Sequence, residues 1–140
     1  MADVIFNSFK KKIMDGSIDL DTDTIKVALV TSSYTPDQDA HDFFDDVTNE
    51  VSGTGYTAGG ATLASVTVTA DNTDNEGVFD AADVTWSSST ITARGAVIYK
   101  STGTASTSPL IAYIDFGSDK SSSAGNFTIS WNSEGILNLN

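Results

Sequence analysis

Thr90-Ile91-Thr92-Ala93-Arg94-Gly95-Ala96-Val97-Ile98-Tyr99-Lys100 reads as a β-strand almost without interruption. Successive side chains of an extended backbone point to opposite faces. Ile91, Ala93, Gly95, Val97 and Tyr99 are therefore expected on one face, and Thr90, Thr92, Arg94, Ala96 and Ile98 on the other. Comparable runs follow at 109–116, 126–131 and 136–139, separated by stretches of Ser, Thr, Gly and Asp. Toward the N-terminus, residues 25–31 are rich in branched side chains and scarcely alternate, the pattern of a strand covered on both faces. Residues 63–69 form a further candidate strand, with Ala64, Val66 and Val68 alternating against Ser65, Thr67 and Thr69. Residues 78–86 hold one bent strand or two short ones around Ala81-Ala82-Asp83. About seven strands at regular spacing predict a mainly β fold: an antiparallel β-sandwich or barrel-like sheet.

An N-terminal helix is expected to pack on this sheet or reach out from it. In residues 3–14, Ile5, Phe9 and Ile13 recur at spacing four, Phe6 widens the apolar stripe, and Asp3 is placed to cap the free amides. Lys10, Lys11 and Lys12 fall in the last turn, at the negative end of the helix dipole, and Gly16 can end the helix. The chain divides as one domain, 1–140. Residues 1–16 supply the helix and 24–140 the β domain, with a loop or short helix at 32–60. Within that insertion, 41–51 reads as a short helix and 52–60 as a flexible glycine-rich link.

The 140 residues carry 19 acids against seven bases, a net charge of −12, and no cysteine. Disulfides and thiolate metal sites are excluded. Nucleic-acid binding is disfavoured, because tracking phosphates needs clustered cations. No run approaches the roughly 20 apolar residues of a membrane span, and no targeting segment is read at the N-terminus.

The motifs that could carry chemistry are each incomplete. Residues 53–60 are followed by a strand-like segment where a phosphate loop needs a helix, and they carry no lysine. Asp19, Asp21 and Asp23 are spaced as in a calcium loop, but Thr24 and Val30 stand where that loop needs glycine and glutamate. A second oxygen-rich turn at 71–77 could be joined by Asp80 and Asp83 around a divalent cation. Such residues more often bond their own backbone. His41, the one histidine, has no Gly-x-Ser-x-Gly elbow to serve and no second nitrogen or sulfur ligand, so a solvated imidazole is expected. No pair of carboxylates stands out for glycoside cleavage. Trp86 and Trp131 lie on strand patterns and read as core. Arg94, the one arginine, has two readings: a partner for an acid on a neighbouring strand such as Asp115 or Asp83, or an anchor in a subunit interface.

Several phrases carry a resemblance. Asp23-Thr24-Ile25-Lys26-Val27-Ala28-Leu29-Val30, Tyr56-Thr57-Ala58-Gly59-Gly60-Ala61-Thr62-Leu63, Asp83-Val84-Thr85-Trp86 and Ala93-Arg94-Gly95-Ala96-Val97-Ile98-Tyr99-Lys100 are four of them. Ser108-Pro109-Leu110-Ile111-Ala112-Tyr113-Ile114-Asp115-Phe116-Gly117 is the fifth. Together they resemble a family of small structural proteins encoded by tailed bacteriophages, over nearly the whole chain. The resemblance implies a virion protein without catalytic residues or cofactor. The leading expectation is a decoration (cement) protein on the outer head surface, oligomeric and docked on the major capsid protein or other virion proteins. A tail or head–tail connector component is the alternative, and a carbohydrate-binding adhesin or small hydrolase a third. The surface expected to make contact comprises Phe6, Phe9, Lys10 and Lys11 of the helix, Tyr56 of the 52–60 loop, and Arg94. About 800 Å² per partner would suffice for such an interface.

Overall fold

Backbone pairing is antiparallel throughout. The computed structural model describes residues 2–140. Its strands are β1 (Val4–Ile5), β2 (Ile25–Val30), β3 (Ala61–Thr62), β4 (Thr67–Asp71), β5 (Glu76–Asp80), β6 (Val84–Ser89), β7 (Thr92–Lys100), β8 (Leu110–Ser121), β9 (Gly125–Ile129) and β10 (Leu137–Leu139); its helix is α1 (Asn7–Met14). Five strands make the main sheet in the order β1-β8-β7-β2-β3, and β10-β5-β4 and β6-β9 make two smaller ones. The mainly β expectation holds, as layered sheets rather than a closed barrel.

The long hairpin β7–β8 organises the layers. Past Thr92, paired with Ser121, both of its strands turn a corner and continue as β6 and β9, which pair from Ser89↔Gly125 to Val84↔Ile129. One two-stranded ribbon thus belongs to both layers, and sheets commonly change over at such bends and bulges. Ser88 and Ala124 take left-handed backbone at the corner, with φ of 49° and 46°. Ser89 is fully buried there. Its hydroxyl lies 3.0 Å from Trp86 O, 2.9 Å from Gly125 O and 2.8 Å from Ser122 Oγ.

Both faces of the main sheet are covered, which explains why β2 does not alternate. On one face Val27, Leu29, Ala96, Ile98 and Ile111 join Phe9, Leu63, Phe79, Trp86 and Phe127. On the other, Ala28, Val30, Val97, Tyr99, Leu110 and Tyr113 pack with Phe6 and Tyr34, and with half-buried Phe44 and Val47 from the 31–60 insertion. The Phe44 and Tyr99 rings stack with centroids 4.1 Å apart.

Four local expectations need correction. The helix begins at Asn7, not Asp3, because residues 4–5 pair with β8 (Val4↔Tyr113, Ile5↔Ala112). Asp3 instead accepts the Asp115 N–H at 2.7 Å. The helix does end where Gly16 (φ 80°) lets Ser17 N–H reach Lys12 O at 2.9 Å. Residues 41–51 contain one 3₁₀ turn, Phe44–Asp46; their ends are extended and bridge Pro109 and Val30. The run 63–69 is broken at Ser65 (φ 53°), leaving β4 largely exposed. In β7 the alternation changes face at Arg94, where the ladder shifts between Ala93↔Lys120 and Gly95↔Asp115. Ile91 and Ala93 consequently pack with Ala96 and Ile98, while Gly95 faces Tyr113. A Cβ on Gly95 would stand 2.5 Å from Tyr113 Cε2, so only glycine fits under that ring.

The 52–60 segment is docked rather than a free link. Glu50 Oε2 accepts from Tyr56 Oη at 2.6 Å and from Gly59 N–H at 2.7 Å, and Tyr99 Oη donates to Gly59 O at 2.6 Å. Gly60 (φ 77°) lies so close to β2 that a Cβ would sit 1.9 Å from Val27 O. Among the described residues, no helix is long and apolar enough to cross a membrane.

Candidate docking cleft

The outer edge of the ribbon faces a cleft of about 540 Å³. Its floor is apolar: Ile114 and Phe116 from β8, Phe127 and Ile129 from β9, and Trp131 and Ile136 from the return toward β10. Phe127 and Ile129 are buried by alternation, whereas Asn126, Thr128 and Ser130 point out. Trp131 is held in place by its own backbone N–H on Asp83 Oδ1 and its indole N–H on Ala82 O, both at 3.0 Å. The two tryptophans therefore differ. Trp86 is core, as predicted, and Trp131 is a half-buried wall of the cleft. β9 pairs with β6 on one side only, so its other edge opens on the cleft.

The residues expected to make contact do not form one patch. Phe6 is fully buried and Phe9 nearly so, in opposite cores. The helix presents Lys10 and Lys11 to solvent instead, with Lys11 bonded to Asp15 at 3.1 Å and Lys12 over the Phe43 ring at 4.7 Å. Tyr56 is half-buried; besides donating to Glu50, its hydroxyl accepts the Leu29 N–H at 2.9 Å. Arg94 Nε donates to Asp115 Oδ1 at 2.9 Å, which bears out the neighbouring-strand pairing with Asp115; Asp83 serves Trp131. Arg94, helped by the Gly117 N–H, holds the Asp115 carboxyl well below the usual carboxylate range.

Several acids are engaged in their own turns. Asp15 takes the Ser17 hydroxyl and N–H and is lowered to about 2 by them. Asp37 accepts the Asp39 and Ala40 amides, Asp46 the Asp42 and Phe43 amides, and Asp71 the Thr73 and Asp74 amides. In the calcium-like run, Asp23 accepts the Asp19 N–H and pairs with Lys100 at 2.9 Å. The oxygen-rich turn converges differently from expectation. Asp74 and Glu76 meet Glu134, not Asp80 or Asp83, with one carboxylate oxygen of each within 4.8 Å of the others, an arrangement open to a hard cation. His41 is half-buried rather than solvated. Its Nδ1 accepts the Asp37 N–H at 3.2 Å and lies 3.0 Å from Tyr34 Oη.

Sequence reasoning missed the cleft because Ile114, Phe116 and Trp131 read like any inward-facing strand residue. The available signal was the uncharged run 125–131, Gly-Asn-Phe-Thr-Ile-Ser-Trp, flanked by no base or proline. No protein-family model, curated protein or solved structure matches this chain.

Proposed function

We propose that the chain is a virion structural protein of a tailed bacteriophage, which decorates the outer head surface by docking on the major capsid protein or its neighbours. The observation that supports this reading most is the use made of the acids. Asp15, Asp37, Asp46 and Asp71 fix turns by accepting nearby backbone amides, so the polar side chains serve a rigid scaffold. A strongly negative exterior on such a scaffold suits a protein displayed to solvent in many copies, since it opposes non-specific association. The phage assignment itself rests on the resemblance drawn from the quoted phrases. Many weak contacts repeated over a lattice would then sum by multivalency.

Copy number on purified particles tests it. Hundreds of copies per particle are expected. A dozen or fewer would move the chain to the tail or connector, and none in washed particles would end the virion reading.

A further inference from the structure

β9 is an edge strand without the usual protection. Exposed strand edges invite pairing with another chain, and proteins blunt them with lysine, proline, bulges or covering loops. The neighbouring edges here are protected. The distal part of β8 carries Lys120 and a ladder shift around Gly117, while β1 covers Ala112 and Tyr113. The far side of the corner is covered where Thr54 bridges Thr90. β4 is open but almost wholly exposed, and the pocket beside it is lined mainly by polar residues, among them Thr67, Thr69, Asp71 and Asp80. Residues 125–131 combine an open edge, no charge and no proline with an apolar floor of Ile114, Phe116, Phe127, Ile129, Trp131 and Ile136.

From this juxtaposition we infer that the outer edge of β9 accepts an extended segment of a cationic partner protein as an added strand. Main-chain bonds supply the pairing, and the cleft takes the partner's alternate apolar side chains. Charge selects the occupant. The cleft's own lining balances one acid, Asp3, against one base, and two further acids stand beside it without lining it: Asp83, which holds Trp131, and Glu134 in the return toward β10. Lys120 is the one cation among the described lining residues. A second copy of this chain would bring a like charge of −12, whereas Lys or Arg on the outward positions of an incoming strand would be attracted. The inference rests on the docking function proposed above only for the occupant's being a protein. Copy number tests that function and the titration below tests this surface, so either can fail alone.

The experiment uses the full ¹⁵N-labelled chain and three synthetic octapeptides: alternating Lys-Val, alternating Glu-Val, and Lys-Val with every second peptide nitrogen methylated. The Lys-Val peptide is expected to shift the amides of residues 125–131 and slow their hydrogen exchange. Methylation should weaken binding by about tenfold or more, and the Glu-Val peptide should not bind. Thr128→Lys puts a charge on an exposed β9 position and should abolish binding while the chain stays folded, its melting temperature within a few degrees of the parent after loss of the Thr85–Thr128 hydroxyl contact at 3.0 Å; Lys11→Ala should leave binding intact. Equal binding of the methylated peptide, shifts centred outside 125–131, or no binding at all overturns the inference. Concentration-dependent shifts of the same amides without peptide would assign the edge to a second copy and overturn it equally.

Discussion

The corner between the layers can be unpinned by deleting one atom. Ser89→Ala removes a hydroxyl whose single proton serves Trp86 O or Gly125 O and whose lone pairs face Ser122 Oγ, in a site with 0% exposure. One net hydrogen bond contributes about 1 kcal/mol, and a buried polar group left without a partner costs about 1–3 kcal/mol. Half-buried Ser122 can turn to water, whereas Trp86, whose carbonyl loses the proton, is a buried residue. A loss of about 2–3 kcal/mol is expected, which for a chain of this size lowers Tm by roughly 6–12 °C. Urea unfolding followed by tryptophan fluorescence reads it, with an unchanged m-value if the denatured state is unaltered. Exposed Ser87→Ala is the neighbouring control and should stay within about 0.5 kcal/mol of the parent. Ser122→Ala should cost less, and the double substitution should fall short of additivity by about 1 kcal/mol because the two hydroxyls share a bond. A Ser89→Ala chain unfolding within about 0.5 kcal/mol of the parent would refute the pinned corner.

Three further outcomes are expected. Gly60→Ala should destabilise by several kcal/mol or prevent folding, roughly, because its Cβ would collide with Val27 O, whereas Gly103→Ala, equally left-handed (φ 89°) but with nothing within 4 Å, should cost about 1 kcal/mol; comparable losses in urea would discredit the close approach. Arg94→Ala should lower Tm at neutral pH. Because Asp115 is depressed in the folded state, the pair's contribution is complete above the ordinary carboxylate pKa of about 4 and is lost as pH falls below it, so the Tm gap should narrow in acid; a gap independent of pH contradicts this. Burial raises all four tyrosines, Tyr99 to about 12 and Tyr34, Tyr56 and Tyr113 likewise upward. Their stabilising effect is complete below about pH 10, the unfolded value, and drains away as pH rises beyond it. Absorbance at 295 nm should show no phenolate step near pH 10 while the chain is folded, and such a step would count against the packing of Tyr34, Tyr99 and Tyr113 around the second core.

The central strands were legible because their chemistry is one-sided. β2 and the second half of β7 consist of branched and apolar residues that only a covered sheet accommodates, and Gly16 marked the helix end. The corner was not legible. Ser88 and Ala124 adopt left-handed backbone without being glycine, and no local pattern announces that Ile91 and Ala93 change face relative to Gly95. The start of the helix was misread because Ile5 fits a helical stripe as well as it fits an edge strand. Phe6 and Phe9 were read as a contact surface for the reason that makes them core: an aromatic stripe does not say which neighbour it meets. Arg94 was legible as an ion pair because a lone arginine beside apolar strand positions needs a nearby acid. The cleft escaped because strand alternation distinguishes two faces but not an interior from a rim.

The pairing of β1 with β8 bears on how the chain is made. Asp3 and Asp115, joined at 2.7 Å, are 112 positions apart. A ribosome adding about 5–20 residues per second would need on the order of ten seconds to supply the second after the first. For most of that interval, until β7 and β8 follow β2, Phe6 and Phe9 lack the completed sheet that buries them, and the nascent segment waits with its rings largely wet or sheltered by a chaperone. Removing residues 2–9 from the finished protein would therefore strip both cores at once rather than trim an appendage.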